Sequence, residues 1–149
     1  MKCKFFIFFL LLAYLALNSS SKPCAQDLEE TTPVAPPQEL TLVRAVICEA
    51  IRGIEPLNEA VVFSIKRGEV YCFLDFDPVP EETRVRVSWF FKDERRRRVE
   101  LPLKPAVPYS RLATYDPIQL RDADKGPWRV EVKDAEGNIL KTLRFSIAD

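Results

Sequence analysis

An antiparallel β-sandwich of about seven strands, immunoglobulin-like in character, is the fold this sequence predicts for residues 40–149. Three observations carry that expectation. Short runs rich in Val, Ile, Phe and Trp alternate apolar and polar residues with period two, as a half-buried strand requires. Clusters of Gly, Pro, Asp and Asn punctuate those runs. Past the first 25 residues, no segment repeats its apolar positions with the 3.6-residue period of a helix.

Residues 1–25 read as a secretory signal peptide: Lys2 and Lys4, an unbroken apolar run of 13 residues from Phe5 to Leu17, then the small polar stretch Asn18 to Ser21. A bilayer span needs about 20 apolar residues, so no stable membrane span is expected after processing. The expected address is exported, periplasmic or extracellular. Cys24 stands near the cleavage region, but Ser21-Lys22-Pro23 before it is not the small or aliphatic stretch that lipoprotein processing favours. Residues 26–39 hold three prolines and four acids with little apolar surface, which predicts a disordered linker.

Leu40 to Ile51 is the first strand candidate, and Arg52-Gly53-Ile54-Glu55-Pro56 breaks it. Ala60 to Ile65 is the second and Glu69 to Phe76 the third, ended by Asp77-Pro78-Val79-Pro80. In Thr83 to Phe91, Val85, Val87, Trp89 and Phe91 share one face, while Arg84, Arg86, Ser88 and Phe90 share the other. Lys92-Asp93-Glu94 reads as a turn into a strand that points Val99, Leu101 and Leu103 inward. From Lys104 to Gly126 the period is lost apart from a short strand around Leu112 to Tyr115. Trp128, Val130 and Val132, then a turn at Asp134 to Asn138, then Leu143, Phe145 and Ile147 form a closing hairpin.

Composition narrows the chemistry. The chain has 22 basic and 22 acidic residues, and losing Lys2 and Lys4 leaves it slightly acidic, so nucleic acid is not an expected partner. It has no histidine, which rules out a Ser-His-Asp triad, a Cys-His pair and His-ligated zinc. Cys48 and Cys72 both fall in strand-like segments, and export places them where thiols oxidise, so a disulfide between them is expected. Two buried free thiols are the alternative. No CxxC pair is present to suggest a metal site.

The strands also resemble a known family, the bacterial domain of unknown function 2914, over approximately residues 40–148. The likeness rests on Pro56, Phe63, Val70-Tyr71-Cys72-Phe73, Trp89, Pro102-Leu103, Gly126-Pro127-Trp128-Arg129-Val130, Gly137 with Leu140, and Phe145. That family often has a histidine two positions before the strand tryptophan, where this chain has Val87. The resemblance implies an extracytoplasmic β-domain and no established activity.

Arg95-Arg96-Arg97-Arg98 can hold an oxyanion through bidentate contacts, or can serve as the solvated edge of a hairpin. Arg84, Arg86, Phe90, Arg96 and Arg98 are the candidate binding face. Asp75, Asp77, Glu81 and Glu82, and separately Asp116, Asp122 and Asp124, are oxygen-rich stretches without EF-hand spacing, expected to be solvated loops. Trp89 and Trp128 are expected in the core rather than on a sugar platform. These readings predict a non-enzymatic binding or assembly module with no cofactor and no metal, its partner an unidentified envelope protein or glycan. A carbohydrate or cell-envelope ligand binder is the alternative, and an enzyme using Asp75 and Asp77 comes third, because those acids look exposed and a working acid/base pair needs one of them shifted by burial.

Overall fold

Period-two alternation builds two sheets that bury their apolar faces against each other. The computed structural model describes residues 39–105 and 111–149, so the leader and nearly all of the linker lie outside the described residues. Nine strands follow in order: β1 Leu42–Arg52, β2 Glu55–Glu59, β3 Val62–Ser64, β4 Glu69–Phe76, β5 Thr83–Phe91, β6 Glu94–Leu103, β7 Leu112–Gln119, β8 Gly126–Lys133 and β9 Ile139–Ala148. One sheet runs β2-β1-β4-β7 and the other β3-β9-β8-β5-β6. All pairings are antiparallel except β3 with β9. Among the described residues there is no α-helix, and therefore none long and apolar enough to cross a membrane.

The sandwich is the expected one, with two strands more than the approximate seven. The strand with no counterpart among the sequence candidates is β2, which begins inside the stretch read as a break. Its Asn58 adopts a left-handed φ of 55° and Pro56 occupies an edge strand, where a missing N–H costs no ladder bond. β7 is also longer than expected. It carries Pro117 and Asp116, both atypical of strands, and it too is an edge.

The core is made by the predicted inward residues. Val85, Val87 and Trp89 of β5 are fully buried, as are Val130 and Val132 of β8, and Trp128 is 3% exposed. Phe145 of β9 stands edge-on to Trp89 and stacks with Trp128, at centroid distances of 6.1 and 6.0 Å. Burying one large apolar side chain stabilises by about 1.5–3 kcal/mol, so this aromatic cluster on the inner face of the five-stranded sheet is a main part of the core. β5 turns into β6 through Lys92 and Asp93, whose φ values of 50° and 66° give the doubly left-handed two-residue hairpin turn.

The disulfide expectation is corrected. Cys48 and Cys72 are free and buried. On β1 and β4 the register pairs Cys48 with Tyr71 and Ile47 with Cys72. Directly paired residues share a face and successive ones alternate, so this offset of one sends the two thiols to opposite sides of the sheet. Cys72 joins the core, whereas Cys48 lies beneath the outer face, its Sγ 3.9 Å from the Tyr71 carbonyl oxygen. Burial pushes the Cys48 thiol up to about 11 and raises Cys72 as well.

Candidate functional site

Two arginine-centred constellations stand out, one inside the sandwich and one on its surface. The interior one arises where β6 and β7, edge strands of opposite sheets, face each other. Register places Arg97 beside Trp89 on β6 and β5, and Asp116 beside Cys72 on β7 and β4, so all four are directed between the sheets. The Trp89 indole donates to Asp116 Oδ2 at 2.7 Å. Arg97 donates from Nε to Oδ2 at 3.2 Å and from Nη2 to Oδ1 at 2.8 Å. Asp116 is 2% exposed, yet both its oxygens are used, which is the condition under which a buried carboxylate is tolerated. The hydrogen bonds that Arg97 donates to Asp116 raise the pKa of its guanidinium.

Asp116 was expected in a solvated loop with Asp122 and Asp124, and the structure corrects that reading. Only the latter two belong to a surface turn, Asp122–Asp124. Asp75 is likewise not the exposed acid the sequence suggested. It is fully buried, held by the Arg111 guanidinium with Nε at 2.6 Å from Oδ2, while its Oδ1 has no hydrogen-bond partner among the described residues. Asp77 remains exposed. Among the described residues no group of three or more acids or thiols is gathered as metal ligands.

The surface constellation is the outward face of the five-stranded sheet. Arg95, Phe90, Arg129 and Arg144 form one row across β6, β5, β8 and β9. Arg98, Ser88, Glu131 and Thr142 form the next, and Glu100, Arg86 and Lys133 the third, with Arg84 beyond. Seven cations thus share a face with two carboxylates, Glu100 and Glu131. Glu100 draws Arg84, Arg86 and Arg98 at 3.4, 3.2 and 3.6 Å. Hydrogen bonds from Arg86 and then Arg84 hold the Glu100 carboxyl below its ordinary range.

Of the predicted face residues, Arg84, Arg86, Arg98 and Phe90 are brought together. Arg96 is not. A bulge leaves it opposite no partner, between Arg95 and Arg97, and its guanidinium stands 5.2 Å from the centroid of Phe91, a core residue. Phe90 is half-buried because the Arg129 guanidinium lies 4.2 Å from its ring centroid. Sequence reading of one hairpin missed Arg129, Lys133 and Arg144, which come from the other. Their signal was present, since each is an outward residue in the alternation of Trp128 to Lys133 or Leu143 to Ile147, but only the β5–β8 pairing joins the two sets.

Fold and site together define a two-sheet β-domain with a buried carboxylate clasped by a half-exposed arginine at its open edge and a basic sheet face outside. Residues 82–147 match the model of a family described as a protein of unknown function, DUF2914, the family the sequence resembles. The match takes in β5 to β9 and so holds the whole basic face except its β3 margin; β1 to β4, with Val70-Tyr71-Cys72-Phe73, lie outside it. No curated protein shows significant similarity to the chain.

Proposed function

We propose that this protein is an exported, non-enzymatic binding or assembly module that meets its partner through the outward face of the five-stranded sheet. The observation supporting this reading is the charge imbalance of that face, seven cations to two carboxylates on a chain whose formal net charge is +0. Like charges directly opposite across strands, as at Arg129 and Arg144, weaken a sheet, so such a face favours a partner that supplies anions. Export is supported by the leader composition alone, and the lack of histidine removes triad, Cys-His and His-ligated zinc chemistry from the alternatives.

A second reading is a carbohydrate or cell-envelope ligand binder, favoured by the aromatic ring of Phe90 among the arginines of the face. Capture from an envelope extract with the wild-type protein and with Arg84→Glu/Arg86→Glu tests the first reading. The expected result is loss of the captured partner in the double variant with unchanged folding; equal capture by both rejects this face. A glycan array separates the second reading from the first.

A further inference from the structure

The basic face is not uniform. At one end lies a shallow groove of about 210 Å³ bordered by Phe90, Lys92, Asp93, Pro127, Arg129 and Arg144. Arg129 and Arg144 are directly opposed on β8 and β9, which sets their side chains side by side on the same face. Arg129 is held in place: its guanidinium lies over the Phe90 ring at 4.2 Å, with Glu131 paired on one side and Asp93 at 3.6 Å on the other. Arg144 is exposed and forms no ion pair among the described residues.

The groove therefore presents three cations, Lys92, Arg129 and Arg144, against one lining carboxylate, Asp93. Glu131, paired with Arg129 beside the groove, lowers the excess to one positive charge, carried by Arg144, which has no ion pair among the described residues. Two guanidinium forks match the oxygens of a tetrahedral oxyanion, and the third cation adds a point charge. A groove of this volume, open on one side, admits a phosphate of five heavy atoms with its ester arm leaving by the open side. The turn at Lys92 and Asp93 keeps two non-glycine residues in the left-handed region, a costly conformation that sets both side chains at the groove rim.

We propose that this groove binds the dianionic phosphate of a phosphate monoester, with Arg144 and Arg129 as the paired forks, Lys92 as the third cation and Phe90 as the residue that positions Arg129. The proposal rests on the reading of the protein as a binding module and names the ligand chemistry of one part of its face. It also predicts a pH signature. The chain has no histidine, and the charged groups around the groove from every neighbouring strand and turn are Lys92, Asp93, Arg95, Arg129, Glu131 and Arg144. None has an ordinary pKa between 5.5 and 7.5, whereas a phosphate monoester takes up its second charge near about pH 6.

Titration calorimetry of the full-length protein at constant ionic strength with glucose 6-phosphate, inorganic phosphate, glucuronate and glucose tests this. Glucose 6-phosphate should bind about fourfold more tightly at pH 7.5 than at pH 5.5, the ratio of its dianion fractions for a second pKa of about 6. Glucuronate should bind more weakly with no such dependence, and glucose not at all. Inorganic phosphate matching the ester leaves the phosphate assignment standing, with recognition confined to that group. Arg144→Gln should lose at least about tenfold in affinity, and Arg144→Lys should recover part of it, as charge without the fork predicts. Phe90→Leu should weaken binding without removing a cation. Glucuronate binding as tightly as the phosphate ester, a flat pH profile, or an unaffected Arg144→Gln variant each overturns the proposal. If these probes fail while Arg84→Glu/Arg86→Glu still abolishes partner capture, the groove assignment falls and the broader reading stands; if capture is also unaffected, both fall.

Discussion

Arg97 and Arg144 occupy edge and near-edge strands of the same sheet, and the fold treats their charges in opposite ways. Arg97 reaches between the sheets, where Asp116 accepts from its Nε and Nη2 and Trp89 donates to the same carboxylate. Arg144 reaches outward, directly across from another arginine and without an ion pair among the described residues. The difference teaches where to look for function in a domain without catalytic groups. A charge whose partners are all supplied by the fold closes the fold, while a charge left facing its like is available to a ligand.

The interior side of that comparison should give the largest effects. Asp116→Ala leaves the buried Trp89 indole N–H without its acceptor and a half-exposed guanidinium to water, so the cost should be about 3 kcal/mol, the lower end for breaking a buried pair. Urea denaturation should therefore show a large drop in midpoint; a loss below about 1 kcal/mol would mean the sandwich does not depend on this clasp. Trp89→Phe keeps an aromatic ring and removes one hydrogen bond to a charged group, with an expected cost of about 1.5–3 kcal/mol, read from the same experiment.

The buried thiols sharpen the comparison through pH. In the folded chain Cys48 titrates near 11 because of burial, against an ordinary thiol value of 9.0. Below pH 9 both folded and unfolded chains hold the protonated thiol and its contribution is fully present. Between about 9 and 11 the unfolded chain ionises first, so stability falls as pH rises. The expected result is a decline over that window that is shallower in Cys48→Ala, together with no reaction of either thiol with a disulfide reagent at pH 8 until denaturant is added. Reaction in the native state would place Cys48 outside the buried layer.

A smaller effect, of opposite sign, is expected at the groove rim. Lys92→Asn puts a residue that tolerates the left-handed region in the turn and removes a groove cation while keeping Asp93, so it should raise stability slightly while weakening phosphate binding. Such an exchange of stability against binding is what a surface shaped for a ligand predicts; a gain in both would show the turn to be merely strained.

Much of the fold was legible because alternation is a direct record of burial. β4 and β5 begin and end at the expected residues, and every inward position of β5 and β8 is buried. Reading failed where the local pattern and tertiary pairing disagree. Asp116-Pro117 looks like a loop because an acid and a proline interrupt the alternation, yet Leu112, Thr114, Asp116 and Ile118 keep period two, with Arg97 and Trp89 supplying what the acid needs. The disulfide failed for a different reason. Spacing along a chain says nothing of cross-strand register, and an offset of one residue reverses a side chain's face. The binding face was half visible for the same cause: Arg84, Arg86 and Phe90 share a strand, but the row that joins Phe90 to Arg129 and Arg144 exists only once β5 pairs with β8.

A side-by-side study of Arg97→Ala and Arg144→Ala tests the central contrast most directly, with unfolding free energy and glucose 6-phosphate affinity measured on both. Arg97→Ala should lose about 3 kcal/mol, the lower end for a buried pair because its guanidinium is partly exposed, and should bind as wild type while folded. Arg144→Ala should stay within about 0.5 kcal/mol of wild-type stability and lose at least about tenfold in affinity. Equal destabilisation by the two variants, or a loss of phosphate binding in Arg97→Ala alone, would contradict the division of this sheet's arginines into one that closes the fold and one that meets a ligand.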